Sequence, residues 1–264
     1  MRGLGGLAKL LVPLAIATAL LVAPNSPAGS LPLTQLRHEG HPAIPGHQVT
    51  TSSNWSGYVA TGATFSDVVG TWTEPNVTCT GKAAQYATFW VGFDGYQSGD
   101  KSHVEQIGTD SDCTAAKGKK HPSTPYYFSW WDIYPQVLQV FPESSCPLAP
   151  GDSVTGEVSA SNGEVTFTMS DSTQGWQCTA SQTLSPPGES AEWIVEAPTV
   201  GRSDRVLPLA NFSSVNFSGA SANGTPISGL SSEAITMQSG GTTTAAPSAL
   251  GSDGASFTVT WMNS

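Results

Sequence analysis

Positive charge is scarce in this sequence. Its 264 residues include 10 Lys and Arg against 20 Asp and Glu, and only 11% of residues are charged, compared with roughly 25% in an average soluble protein. So few basic groups cannot neutralise a row of phosphates, which excludes nucleic acid as a partner. Sparse Lys, Arg and Glu beside abundant Ser, Thr, Gly and Val also argue against a helical protein.

The same scarcity bears on acid stability. Residues 51–264 hold seven Lys and Arg and two His, so this part of the chain carries little positive charge once its carboxyl groups are protonated. Repulsion among positive charges contributes to acid unfolding. We therefore expect the protein to resist acid.

Common catalytic motifs are missing. The sequence has no His-Glu-x-x-His, no Gly-x-Ser-x-Gly and no Asp-Thr-Gly or Asp-Ser-Gly pair. Only His103 and His121 lie beyond residue 50, and neither has a setting that suggests a Ser-His-Asp triad. The cysteine spacings match no metal site, so we expect neither metal nor cofactor. Carboxylates and amides remain as candidates for chemistry.

The N-terminus has the pattern of a secretory signal. Arg2 and Lys9 precede an apolar run over residues 10–22, and the small residues Ser-Pro-Ala at 26–28 suit cleavage by a signal peptidase. The run is shorter than the roughly 20 residues of a membrane span. Residues 1–28 therefore predict an exported, extracellular protein with no membrane partner. Residues 29–50, which hold three histidines and three prolines, are either a flexible leader or a short pro-segment.

Four cysteines remain after the predicted signal: Cys79, Cys113, Cys146 and Cys178. An even number in an exported chain indicates disulfides, and four cysteines allow three connectivities. Proximity along the chain favours Cys79–Cys113 and Cys146–Cys178.

From residue 51 onward, apolar and polar residues alternate in short segments that are separated by Gly, Pro, Asn or Asp. The pattern predicts strands at residues 55–60, 86–94, 104–110, 126–134, 137–141, 153–160, 164–169, 191–196, 214–217, 234–237 and 256–261. No segment has a sustained period of 3.6 residues. The fold class is therefore all-β, and an antiparallel β-sandwich in one domain over 51–264 is the natural architecture.

Alternation also sorts side chains by face. Phe89, Val91 and Phe93 suit a core, which places Trp90 and Asp94 on the other face. The same rule groups Gln106 with Asp110, Trp130 with Asp132, and Glu192 with Glu196. Such a face is either an ordinary solvated surface or a concave cleft for a long polymer, and tryptophans among carboxylates favour the cleft.

Glu192 and Glu196 raise the possibility of a glycosidase. They are four residues apart, about 13 Å between Cα atoms along one strand. Glycosidases with curved β-sandwiches use two glutamates on one strand with an aspartate between them, and here the intervening residues are Trp193, Ile194 and Val195. A glycoside hydrolase or carbohydrate-binding sandwich stays open as an alternative.

Five segments together resemble the glutamic peptidases, also called eqolisins (peptidase family G1). They are Ser-Asn-Trp-Ser-Gly at 53–57, Phe-Trp-Val-Gly-Phe-Asp-Gly at 89–95, Val-Glu-Gln-Ile-Gly-Thr-Asp at 104–110, Ser-Trp-Trp-Asp-Ile-Tyr-Pro at 129–135 and Ala-Glu-Trp-Ile-Val-Glu at 191–196. The resemblance implies a concanavalin A-like sandwich of the lectin and glucanase type. It also implies an endopeptidase that cleaves proteins at acid pH and is insensitive to the usual aspartic-protease inhibitor. We expect the exported protein to be a monomer.

The resemblance also assigns site residues. The catalytic glutamine falls on Gln106 and the catalytic glutamate on Glu196. Five residues correspond to the lining of the substrate cleft: Trp90, Asp94, Asp110, Trp130 and Asp132. The glutamate would activate water as general base and then act as acid, while the glutamine would hold the water and stabilise the oxyanion. Asp94 and Asp110 would orient the amide and tune the glutamate.

Three positions depart from the family pattern. Asp132 replaces a glutamate and Ile133 a tryptophan, and Thr199 stands where a further acid follows the catalytic glutamate. These differences predict altered substrate preference rather than a different reaction.

Overall fold

A computed structural model describes residues 35–37, 51–96, 103–200 and 205–263. The predicted signal at 1–28, and residues 29–50 apart from 35–37, lie outside the described residues. No helix in these ranges is long and apolar enough to cross a membrane.

Strands dominate the described residues, with one 3-10 turn at Ile227–Gly229. They are β1 (Leu36–Arg37), β2 (Thr51–Ser52), β3 (Trp55–Thr61), β4 (Asp67–Thr73), β5 (Thr88–Phe93), β6 (Val104–Cys113), β7 (Pro125–Tyr134), β8 (Gln139–Val140), β9 (Ser153–Ser161), β10 (Glu164–Asp171), β11 (Trp176–Thr183), β12 (Ser190–Glu196), β13 (Thr199–Val200), β14 (Arg205–Val206), β15 (Ser214–Ala222), β16 (Thr225–Pro226), β17 (Ser231–Ser239), β18 (Thr242–Pro247) and β19 (Phe257–Trp261).

The large sheet folds back on itself as two layers. One layer runs in the order β11-β10-β9-β4-β15-β19-β18 and continues into the other, β17-β3-β12-β5-β6-β7-β8. Neighbours along this path pair antiparallel, while β2 adds to β17 in parallel. Strands β4 and β9 of the first layer pack against β5 of the second. The predicted all-β antiparallel sandwich is therefore confirmed.

The core between the layers is built by alternate residues of each strand. On β12, Trp193 faces inward and its Nε1 donates a 2.7 Å hydrogen bond to the Val69 carbonyl of the opposite layer. Gly70 allows this approach, because a Cβ there would lie 2.8 Å from Val91 Cγ1 and 2.9 Å from Trp193 Cδ1. Burying each large apolar side chain contributes about 1.5–3 kcal/mol.

Most predicted strands are present with shifted ends. The strand predicted at 137–141 shrinks to β8, and β4, β11 and β18 were not predicted. Strand β11 is an edge strand whose side chains are largely exposed, so it lacks the apolar alternation that identifies a half-buried strand. Both favoured disulfides, Cys79–Cys113 and Cys146–Cys178, are confirmed.

Candidate functional site

The outer face of β3, β12, β5, β6 and β7 carries the candidate residues, and we call it the site face. Its apolar members form a cluster separate from the main core: Trp55, Val59, Trp90, Tyr96, Val104, Trp130, Leu138, Ile194 and Ile235. The predicted residues Trp90, Gln106, Asp110, Trp130, Asp132 and Glu196 are each at most 2% exposed. These six side chains are therefore buried, whereas the sequence suggested an open cleft.

Strand register arranges the site face in three rows. Glu192, Gly92, Gln106 and Asp132 form the first row. Ile194, Trp90, Gly108 and Trp130 form the second, and Glu196, Thr88, Asp110 and Phe128 form the third. Gln106 and Glu196 thus occupy opposite corners of a patch that has Trp90 at its centre.

Among the described residues, nitrogen donors from Trp90 and Asn54 hold the carboxylate of Glu196. Trp90 Nε1 donates to Oε2 at 2.9 Å, and Asn54 Nδ2 donates to Oε1 at 3.2 Å. The Ser52 hydroxyl donates to Asn54 Oδ1 at 3.1 Å, which orients the amide. Hydrogen bonds from N–H groups favour the charged form of a carboxyl, so these two donors oppose the effect of burial on the fully buried Glu196.

Asp110 lies in the same row as Glu196, across Thr88. Trp130 Nε1 donates to Asp110 Oδ1 at 2.7 Å. Burial raises the pKa of Asp110 to about 8, and the hydrogen bonds from Trp130 and Thr88 only partly oppose this rise. Asp110 is therefore a neutral carboxyl group at acid pH and adds no negative charge beside Glu196.

Gln106 is fully buried between Gly92 and Asp132. A Cβ on Gly92 would lie 3.0 Å from Gln106 Cβ and 2.5 Å from the Glu105 carbonyl oxygen. Glycine is therefore required where the Gln106 side chain leaves its strand. On the other side, the carboxyl group of Asp132 is the neighbour in register that can orient the Gln106 amide.

A second glycine, Gly108, leaves room for the Trp130 indole. A Cβ on Gly108 would come within 2.7 Å of both Trp130 Cζ2 and Trp90 Cβ. Trp90 also meets Trp55 edge to face, with ring centroids 4.9 Å apart. The three indoles form an apolar floor beneath the polar corners of the patch.

Comparison with known proteins decides the family. The sequence profile of the Peptidase A4 family matches residues 53–261. The chain belongs to the Peptidase A4 family. Aspergillopepsin-2 of Aspergillus niger is 29% identical over 220 residues, covering 70% of this chain and 73% of the relative.

Two solved structures share the fold of this peptidase. Scytalido-glutamic peptidase with a transition state analog inhibitor has a TM-score of 0.64 at 23% identity, covering 80% of this chain and 98% of that one. SCP-B, a member of the eqolisin family in complex with the tripeptide Ala-Ile-His, has a TM-score of 0.59 at 22% identity, with the same coverage. The resemblance to glutamic peptidases is confirmed: the protein is a hydrolase of the glutamic endopeptidase type. Family membership also decides against the carbohydrate-binding and glycosidase alternative.

Asp94 is placed differently in this peptidase from what alternation suggests. Strand β5 ends at Phe93, and Asp94 has a φ of 64°, so the two-residue period does not extend to it. Its carboxylate accepts hydrogen bonds from the backbone N–H of Glu189 at 2.6 Å and of Gly188 at 3.0 Å. Burial raises its pKa, and these two N–H groups oppose the rise. Asp94 thus anchors the loop before β12.

Sequence reasoning missed several buried polar groups of the peptidase. Asn54 lies within the first family segment, and that segment is the signal that could have identified it. Burial raises the pKa of Glu74 to about 7, although the Ser111 hydroxyl donates to its Oε1 at 2.5 Å. Burial also raises the pKa of Asp112 well above its ordinary value, and the neighbouring Asp110 adds to that rise.

Glu192 shares β12 with Glu196 but has a different environment. It is fully buried, and burial raises its pKa well above the ordinary value. The Ser190 hydroxyl opposes this rise, and Asp94 and Glu105 add to it. Among the described residues, no group of three or more His, Cys, Asp or Glu is placed to hold a metal ion.

Proposed function

We propose that this peptidase is an exported acid endopeptidase in which Glu196 activates the attacking water and Gln106 assists it. One observation carries the proposal: the Glu196 carboxylate is held by Trp90 and Asn54 on the face that also carries Gln106. A general base must be in its charged form, and two N–H donors favour that form.

The reaction follows from these groups. Glu196 takes a proton from water while the water oxygen bonds to the substrate carbonyl carbon. The Gln106 amide donates a hydrogen bond to the developing oxyanion, a contribution typically worth about 3–4 kcal/mol. Glu196 then returns the proton to the amine nitrogen as the carbon–nitrogen bond breaks. The products are a carboxylic acid and an amine, and Glu196 ends as a carboxylate.

The distance between the two groups is a requirement of the proposal. Two strand spacings and four residues separate their Cα atoms, which is about 16 Å on a flat sheet. Sheets twist and coil, and both side chains are long. The proposal therefore requires the site face to curve around Trp90, so that the two side chains reach opposite sides of a bound peptide and its water.

Glu196 is favoured over Glu192 as the base by its environment. Glu192 is closer to Gln106 in register, directly across Gly92. Burial, however, raises the pKa of Glu192 well above its ordinary value, whereas Glu196, although equally buried, is held by the N–H donors of Trp90 and Asn54. A neutral carboxyl group cannot accept the proton of water.

Export and acid activity fit the rest of the chain. We place a signal at residues 1–28, a leader or pro-segment at 29–50 and the peptidase domain at 51–264. Two disulfides suit an oxidising compartment, and the scarcity of Lys and Arg suits acid. We expect a monomer that acts on unfolded proteins and peptides, with Trp90 and Trp130 contacting the substrate and Asp132 orienting Gln106.

The experiment is digestion of a denatured protein at pH 3–4, with a metal chelator and an aspartic-protease inhibitor present. We expect cleavage by the wild-type protein and a loss of about 100-fold or more in kcat for Gln106→Ala. Gln182→Ala, on the exposed edge strand β11, is the matched control and stays active. Full activity of Gln106→Ala would overturn the assignment of Gln106.

A further inference from the structure

A short strand from the N-terminal segment is docked beside the site. Strand β1 pairs antiparallel with β13, with Leu36 opposite Val200 and Arg37 opposite Thr199. The Leu36 side chain is 1% exposed and packs in a cluster with Tyr86 and Leu207. We call the surface around Leu36 the leader groove. It is lined by Ala84, Tyr86, Phe128, Val140, Val200 and Leu207.

The leader groove is continuous with the site face. Phe128 and Val140 pack both against the groove cluster and against the cluster that contains Trp90 and Trp130. Phe128 also belongs to the register row of Glu196. Strand β13 begins three residues after Glu196, so the groove flanks the end of the site where Glu196 lies.

The backbone at this position suits an added strand. Strands β1, β13 and β14 form a small sheet separate from the large one, with β13 in the centre. The Leu207 N–H donates to the Pro198 carbonyl at 2.9 Å, which fixes the segment between Glu196 and β13. Strand β1 supplies the pairing that an extended peptide supplies when it adds to the edge of a sheet.

We propose that the leader groove is a substrate subsite for an aliphatic side chain, temporarily filled by Leu36. This subsite proposal rests on the proposed function, because the peptide that fills the leader groove is a substrate lying across the site face. The bound peptide pairs antiparallel with β13 and inserts a leucine-sized side chain among Tyr86, Val200 and Leu207. The apolar and aromatic side chains that cluster around the buried Leu36 favour an aliphatic side chain over a charged one at this position.

A binding experiment tests the groove independently of catalysis. The full chain carrying Leu36→Asp and Glu196→Gln empties the groove and prevents cleavage. The probe is a fluorescent peptide with the sequence of residues 31–42. We expect this peptide to bind, Leu36→Ala in the peptide to weaken binding about tenfold or more, and Gln35→Ala to have little effect, since Gln35 is exposed. Failure of the parent peptide to bind, or equal binding of all three peptides, overturns the proposal.

Cleavage profiling tests the same groove in the active protein. Sites cut in denatured proteins are identified by mass spectrometry for the wild-type chain and for Leu207→Ala. We expect Leu, Ile and Met to be enriched at one substrate position, and this enrichment to fall several-fold in the variant while other positions keep their preferences. An unchanged profile overturns the subsite. Absence of cleavage by both chains overturns the proposed function instead, and peptide binding then decides the groove alone.

Discussion

The indole Nε1 of Trp90 donates a 2.9 Å hydrogen bond to Oε2 of Glu196. The two residues come from neighbouring strands and adjacent register rows, because Trp90 pairs with Ile194 two residues before Glu196. Trp90 thereby joins the proposed base to the apolar floor on which the substrate would lie. This bond is the direct link between the packing of the site face and its chemistry.

Removing that donor gives the first prediction. Trp90→Phe keeps an aromatic ring but deletes an N–H group that holds Glu196. We expect kcat/KM to fall about tenfold or more, and the acidic limb of its pH profile to move to higher pH, because the carboxylate form loses support. Trp130→Phe is the control, since its N–H serves Asp110 instead. A shift of the acidic limb in Trp130→Phe but not in Trp90→Phe would contradict this account.

Gly108, which lies beside Trp90 and Trp130, gives a second prediction. Gly108→Ala places a methyl group 2.5 Å from the Phe89 carbonyl oxygen and 2.7 Å from both Trp130 Cζ2 and Trp90 Cβ, which forces the strand and the Trp130 indole to move. We expect the free energy of unfolding to fall by about 1–3 kcal/mol, measured by urea denaturation. Gly219→Ala is a useful comparison: its φ is 60°, but a Cβ there meets open space. Its cost is limited to backbone strain of about 1–2 kcal/mol. Loss of activity distinguishes the two, because only Gly108 supports the site.

The buried acids predict how stability depends on pH. The pKa of Glu74 is raised to about 7 and that of Asp110 to about 8, while both are about 4 in an unfolded chain. Between about pH 4 and these raised pKa values, the folded state therefore binds more protons than the unfolded state. The resulting stabilisation is complete below about pH 4 and is lost as the pH rises through 7 and 8.

Thermal unfolding between pH 3 and pH 9 measures this effect. We expect the Tm to be highest near pH 4 and to fall by about 5 °C or more toward pH 9. Glu74→Gln removes one of the titrating groups and makes the dependence shallower, whereas Glu143→Gln, at an exposed position, leaves it unchanged. A Tm that falls steeply between pH 5 and pH 3 would contradict the prediction.

Alternation and family segments predicted much of the site face. They placed Trp90, Gln106, Asp110, Trp130 and Glu196 on one side of their strands because a strand's own sequence determines which side chains share a face. Asp94 escaped the rule because a positive φ ends the alternation. The Asp-Gly pair at 94–95 is the local signal for this turn, since both residues have a positive φ; the hydrogen bonds of Asp94 with residues 188 and 189 are long-range and could not be read from it.

Contacts between residues on different strands could not be predicted from the sequence. Asn54 meets Glu196 across 142 positions of the chain, and the three rows depend on the register of strands that are distant in sequence. The burial of Glu74 is likewise set by packing between strands that are distant in sequence, because its carboxyl group accepts a hydrogen bond from Ser111 of β6. In the sequence, an acid beside an alternating strand looks like any solvated residue. Strands β4 and β18 were likewise not predicted from the sequence.

The most direct measurement compares two glutamates on one strand. Glu196→Gln and Glu192→Gln make the same substitution four residues apart on β12, in equally buried positions. With folding verified by thermal unfolding, kcat for a peptide substrate at pH 3–4 separates the two roles. We predict a loss of about 1,000-fold or more for Glu196→Gln. We predict a change within about threefold for Glu192→Gln, because an amide there replaces a carboxyl group that is already neutral. Retained activity in Glu196→Gln, or an equal loss in Glu192→Gln, would contradict the account.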